Sequence, residues 1–425
     1  MTPNQLSACA AAAAIAAGKL TSEALVADCL ERIAQREDDV RAWAYIDRER
    51  ALAQARQRDR EPRRGALHGI PVGVKDVIDT CDMPTEYGSP IYRGHRPAAD
   101  AACVAQVREL GGVILGKTVS TEFATRHPNK TRNPHDTAHT PGGSSSGSAA
   151  AVADGMVPIA FGTQTSSSII RPAAYCGVIG YKPTFGLINR AGLKFLAESL
   201  DTLGPLTRTV EDAALVAEAL AGLPHTDFSS VRTLKPRIAF CRTPYWDRAD
   251  AATQANLVAA VDRLAAAGAQ VRELALPGEF ADYAEVQVTV SSYEFTRALA
   301  HERTRHPELL SESLSSRIAA GLRVTREQYE AGRVLVERGR AYLADVFRDI
   351  DVLVAPSTTG EAPAGLESTG DPIFGLTWTL LRLPCLTLPH GVGPRGLPLG
   401  IQVVARDGGD RELFLHAEWM VRALK

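Results

Sequence analysis

The sequence predicts an α/β fold built on a central sheet. Strand-type and helix-type hydrophobic patterns alternate along the whole chain, no long linker interrupts them, and the one Gly/Ser-rich stretch lies between well-marked elements. At 425 residues the chain is long enough to bury a large core. It is read as one domain over residues 1–425, with a helical region at 1–60, a core over about 65–215 and a C-terminal α/β part over about 235–425.

The first sixty residues read as helix. The run "MTPNQLSACAAAAAIAAGKL" carries no basic residue ahead of its alanines, and alanine favours helix without being strongly apolar, so the run is read as a first helix rather than a secretion signal. Leu20-Thr21-Ser22-Glu23 offers the next helix start, after which Leu25, Cys29 and Ile33 recur at helical spacing. "HGIPVGVKDVI" then switches to a short Val/Ile strand that delivers Lys75 at its end. "DAACVAQVRELGGVILGKT" reads as helix, Gly-Gly turn and strand from Val113. "SSSGSAAAVADGM" is a small-residue helix beginning beside Ser144, "VPIAFGT" a buried strand, "SIIRPAAYCG" a helix with Pro172 near its first turn, and "VIGYKPTFG" a strand and turn.

The alternation continues with strand "RIAFC" at 237–241, a helix at 251–267, strand "VRELAL" at 271–276, long helices across about 284–347 and strand "DVLVAP" at 351–356. "LPCLTLP" and "LPLGIQVVAR" follow, then a last helix with Leu413, Phe414, Ala417, Met420, Val421 and Leu424 on one side.

Formal net charge is -2 and no long block of one sign occurs, which excludes the footprint of a nucleic-acid or anionic-membrane binder. No window offers the ~18 apolar residues of a spanning helix. Seven scattered cysteines without a Cys-x-x-Cys pair point away from disulfides and zinc and toward a reducing, cytoplasmic setting. No metal or cofactor is expected.

Two serine clusters carry the chemical signal, "PGGSSSGS" from Pro141 and "TQTSSSIIRP" from Thr163. A serine is a weak nucleophile unless a base takes its proton, and the attacked carbonyl needs donors for its developing charge. Free N–H groups of the second cluster, between a strand and a helix start, suit that purpose. His135 and His139 precede the first cluster, but no Gly-x-Ser-x-Gly elbow is present, and both are read as loop hydrogen-bonders. Lys75 is the rival base: a lysine forced into a dry site is driven toward its neutral form.

"GIPVGVKD", "GKT", the run from Pro141 to Gly186 and "GLPLGIQVV" together resemble the amidase signature family, over nearly the whole chain. The resemblance implies a central mixed β-sheet flanked by helices on both sides, and hydrolysis of a carboxamide by a Ser-Ser-Lys triad. Residue by residue it places the base at Lys75, the bridging serine at Ser144 with a cis peptide before it, and the nucleophile at Ser168. Backbone donors at Thr165, Ser166 and Ser167 would hold the oxyanion. Ser166 and Ser167 stand where the family usually has glycine, and Gln164 where it often has aspartate. Ser145 and Ser146 are assigned to capping and packing, and Cys176 to the core.

Within the family the spelling is closest to the malonamidase-type members, in which an arginine three residues after the nucleophile grips a substrate carboxylate. Arg171 stands there, so the resemblance implies a small acid amide such as malonamate, a small-molecule partner only, and a homodimer joined by the N-terminal helices. The alternatives are a broad amidase, arylamidase or urethane hydrolase with a structural Arg171, an amidotransferase A-type subunit that delivers ammonia to partner chains, and a catalytically dead scaffold.

Overall fold

The computed structural model describes residues 2–425. Eleven strands join in one sheet: β1 (Trp43–Ile46), β2 (Pro71–Lys75), β3 (Val113–Thr118), β4 (Ile159–Gln164), β5 (Ile179–Lys182), β6 (Thr202–Thr207), β7 (Arg237–Cys241), β8 (Gln270–Leu274), β9 (Val352–Pro356), β10 (Cys385–Val392) and β11 (Pro398–Val404). Their order is β1-β3-β2-β4-β6-β5-β10-β11-β9-β7-β8. β2 runs parallel to β3 and β4, and β7 to β8 and β9, while the central β4-β6-β5-β10-β11-β9 stretch is antiparallel. The sheet is therefore mixed, as expected.

Successive side chains of a strand face opposite sides of a sheet, and the core divides accordingly. Ile238, Phe240, Val352 and Val354 join one hydrophobic cluster, whereas their neighbours Ala239, Cys241, Leu353 and Ala355 join another. Helices Ala251–Ala266 and Asp410–Ala423 cover the first face through Leu257, Leu264, Leu413 and Phe414. Helices Tyr283–Ala298, Arg326–Val346 and Ile373–Leu380 cover the second through Val290, Val336 and Trp378.

Local signals place the helices. The alanine run forms helix Ala8–Ala16 behind the Ser7 cap, and Thr21 caps helix Ser22–Val40, which buries Leu25, Cys29 and Ile33. Thr325 and Gln328 form a reciprocal capping box at the head of helix Arg326–Val346. The expected long helices at 284–347 are broken into four pieces, Tyr283–Ala298, Ala300–Arg305, Glu312–Gly321 and Arg326–Val346. The breaks fall at Leu299, at His306-Pro307 and at the Thr325 cap. Strands β1 and β6 and helix Ile373–Leu380 have no counterpart in the sequence reading. β1 is only four residues long and borrows its pairing from β3, so it has no pattern of its own.

The Gly/Ser stretch is packed rather than loose. Helix Ser146–Ala153 lies so close to the β1 and β3 ends that a Cβ on Gly147 would sit 2.1 Å from the Ala42 carbonyl and 2.4 Å from Val119 N. Only small residues fit there. No helix among the described residues is long and apolar enough to cross a membrane.

Candidate active site

β2 and β4 run side by side with Val74 opposite Phe161, so the C-terminal end of β2 brings Lys75 beside Thr163. Lys75 is fully buried, and its Nζ donates to Ser144 Oγ at 2.7 Å, Thr163 Oγ1 at 2.9 Å and Ser145 Oγ at 3.1 Å. Every partner is a neutral oxygen. Burial therefore pushes the amine down from its ordinary value of 10.5 to about 7, opposed only by the field of Asp201. Lys117, next door on β3, is equally buried but has Asp76 at 3.7 Å, and it stays higher, at about 8.

The peptide between Gly143 and Ser144 is cis, as the resemblance implies. Ser144 is fully buried, and its carbonyl accepts from Thr121 N–H at 3.3 Å. Ser168 comes from the other side: its carbonyl accepts from Ser145 N–H at 3.3 Å, which clasps the two serine turns together. Among the described residues the Ser168 hydroxyl has no hydrogen-bond partner, and Ser168 lines a recess with Thr165, Ser166 and Arg171. The structure thus brings Lys75 and Ser144 into direct contact and sets Ser168 on the facing turn, with no direct Lys75–Ser168 bond.

The turn Thr165–Ser168 is held by its carbonyls. Gln287 Nε2 donates to Thr165 O at 2.8 Å, Thr379 Oγ1 to Ser166 O at 2.7 Å, Arg171 N to Ser167 O at 2.9 Å and Ser145 N to Ser168 O at 3.3 Å. None of the four N–H groups of residues 165–168 meets an acceptor among the described residues. Gln164 helps to keep them free, because its Oε1 takes the next two donors, Ile169 N–H at 2.8 Å and Ile170 N–H at 3.0 Å, while its Nε2 holds Thr379. Unpartnered backbone N–H groups are available to meet a negative charge.

The serines in place of glycine are accommodated without a left-handed backbone: no residue from 165 to 168 has positive φ. The space comes from a partner glycine instead. A Cβ on Gly375 would fall 2.6 Å from Ser167 Cβ and 2.8 Å from Ser166 O. Thr165 donates its hydroxyl to buried Asp201, whose carboxyl burial raises to about 6.

Arg171, 4% exposed at the head of helix Ile170–Cys176, donates to Gly143 O at 2.7 Å and Thr369 Oγ1 at 3.1 Å, and its Nε has no partner. It forms no ion pair with a carboxylate among the described residues, and burial lowers it to about 10.

Several residues take places the sequence reading does not give them. Ser145 makes no capping bond and instead touches Lys75; Ser146 does serve packing, donating to Gly142 O at 2.8 Å. Thr163, Gln287 and Thr379 carry no local mark of a role, since their partners lie on distant segments. His135 bonds the Cys176 carbonyl at 2.9 Å, and burial drives the Cys176 thiol up. Cys81, Asp82 and Asp100 lie close enough to share an ion, but arginines already answer the two acids: Arg108 reaches Asp82 at 2.5 Å and Asp100 at 2.9 Å.

The fold is shared with known proteins. The family model described as Amidase matches residues 24–414. The A subunit of the glutamyl-tRNA(Gln) amidotransferase of Lysinibacillus sphaericus is 34% identical over 93% of this chain and 91% of its own. A crystal structure described as an amidase superimposes with TM-score 0.90 at 30% identity, covering 99% of this chain and all of the other. The native peptide amidase of Stenotrophomonas maltophilia follows with TM-score 0.84, also at 30% identity, over 99% of this chain and 97% of its own. Similar curated relatives such as those of Lysinibacillus sphaericus and Anaeromyxobacter are amidotransferase A subunits, and the finer likeness to malonamidase-type members gains no support from them. The chain belongs to the amidase family and is a hydrolase of amide C–N bonds.

Proposed function

We propose that the enzyme cleaves a small amide bearing a carboxylate, through an acyl-enzyme on Ser168. One observation carries the reading: a fully buried lysine whose amine touches only hydroxyl and carbonyl oxygens lies 2.7 Å from Ser144 Oγ. Such an amine, lowered to about 7, is in large part neutral near pH 7, and its neutral form has a lone pair for a proton.

As Ser168 Oγ bonds to the substrate carbonyl carbon, its proton passes to Ser144 and the Ser144 proton passes to Lys75. The carbonyl oxygen takes the negative charge toward the N–H groups of residues 165–168. When the C–N bond breaks, Lys75 returns the proton through Ser144 to the leaving nitrogen, and ammonia departs. Water then attacks the ester, its proton enters the same relay and ends on Ser168 Oγ, and the acid is released. Arg171 supports a carboxylate-bearing substrate, because it lines the recess beside Ser168 and forms no ion pair with a protein carboxylate among the described residues.

Ammonia release from malonamate, succinamate and neutral propionamide tests the proposal. The wild type should release it and Ser168→Ala should not. The acid amides should lose their advantage over propionamide in Arg171→Ala, and equal rates on charged and neutral amides in the wild type would remove the clamp.

The curated relatives favour a second reading, an ammonia-delivering A-type subunit that works only with partner chains. Under that reading the purified chain is inert on every small amide. Activity of the free chain, eluting as a homodimer or smaller, supports the first.

A further inference from the structure

The recess above Ser168 holds more positive charge than one carboxylate needs. Arg126, Arg171 and Arg317 all line it, and no Asp or Glu does. None of the three forms an ion pair with an acid among the described residues. Asp371, whose field reaches Arg171, is already taken by Arg248 at 2.6 Å.

Arg317, on helix Glu312–Gly321, donates no hydrogen bond among the described residues. Its guanidinium lies over the Phe295 ring at 4.9 Å. Burial and the repulsion of Arg126 lower it to about 10. Arg126 repels Arg171 as well. Arg171 is buried, Arg317 half-buried and Arg126 exposed at the rim; like charges gathered this closely repel until an anion joins them, and this gathering faces the nucleophile.

We propose that Arg317 and Arg126 form a second anion subsite across the recess from Arg171, so that the preferred substrate is an amide carrying two acidic groups. The inference rests on the Arg171 reading above and extends it. One acid group is gripped by Arg171 next to the scissile amide; the other meets the Arg317 guanidinium, which the Phe295 ring backs at 4.9 Å, with Arg126 at the mouth. An amino-acid amide such as glutamine fits less well, since the lining offers no carboxylate for its ammonium.

The test measures kcat/KM on butyramide, succinamate and the monoamide of tricarballylic acid, which carry no, one and two carboxylates. The dianion should exceed succinamate at least tenfold, chiefly through KM. Arg317→Met should cut that dianion-to-monoanion preference at least tenfold, while Arg317→Lys, which restores the charge without the planar fork, should recover part of it. A wild-type enzyme that treats the dianion no better than succinamate overturns the second subsite and leaves Arg171 standing; equal rates on succinamate and butyramide overturn the first reading instead. If the chain turns over none of the three, binding decides. Tricarballylate should then raise the melting temperature more than succinate does, in a manner lost in Arg317→Met, and equal shifts overturn the proposal.

Discussion

The floor and the wall of the recess are built on opposite principles. On the floor, the buried lysine amine and the turn carbonyls find partners: Lys75 has three hydroxyls, and four successive carbonyls of residues 165–168 are each held. The wall made by helices Tyr283–Ala298 and Glu312–Gly321 and the 124–126 segment instead leaves Arg126 and Arg317 without hydrogen bond or ion pair among the described residues. Held carbonyls and a held amine fix the turn and position its chemistry, whereas cations without a protein counter-charge leave room for an anionic ligand. The same contrast recurs in miniature between the two buried lysines: Lys117 has a carboxylate and stays more basic, while Lys75 has none and is set near neutrality.

Breaking the floor should have the largest effect. Ser168→Ala and Lys75→Met are each expected to lower ammonia release by roughly 10⁴-fold or more, as removal of a nucleophile or its base does elsewhere. Lys75→Met should at the same time stabilise the fold. The folded amine titrates at about 7 instead of 10.5, so between those values the unfolded chain holds a proton that the folded chain does not, and stability rises with pH across that window. Removing the amine should therefore raise unfolding free energy at pH 7 to 8 by on the order of 2 kcal/mol in a urea titration. A less stable Lys75→Met protein contradicts the picture of a desolvated base.

The pH profile sharpens the comparison next. The relay needs the neutral amine, so kcat/KM should fall about tenfold per pH unit below the Lys75 value of about 7 and level off above it. Ser145→Ala removes one acceptor of the ammonium form. It should move that acid limb to lower pH and cost roughly 5-fold in kcat, in line with ~1 kcal/mol for a hydrogen bond. An unmoved limb would make Ser145 a packing residue after all.

An effect on stability alone joins the turn to helix Ile373–Leu380. Gly375→Ala should destabilise the protein by about 1–3 kcal/mol through its clash with Ser167 and the Ser166 carbonyl, and adding Ser167→Gly should restore part of that loss in the same urea titration. Independent, additive losses would mean that the two sites do not share the space.

Much of the floor is readable in the chain. Lys75 closes a Val/Ile strand, Ser144 opens a small-residue helix and Ser168 precedes another, each within a local pattern of its own, and the alternation of periods points to the α/β class. What supports those residues is not readable. Gln287 reaches Thr165 across 122 residues and Thr379 reaches Ser166 across 213; both lie in helices and look like ordinary polar positions. Ser145 reads as a cap, because a serine before a helix usually is one, and only the approach of Lys75 gives its oxygen another use. The serines at 166 and 167 stand where the family usually has glycine, and only the packing shows that Gly375 makes room for them.

By itself the sequence determined which elements form and which side chains can do chemistry, because hydrophobic period, caps and reactive groups are properties of short stretches. Tertiary structure alone decided the lysine's proton affinity, the freedom of four N–H groups and the concentration of unpaired cations over Ser168. Those depend on water being excluded and on groups from distant segments being placed within a few ångströms, and no local pattern records either.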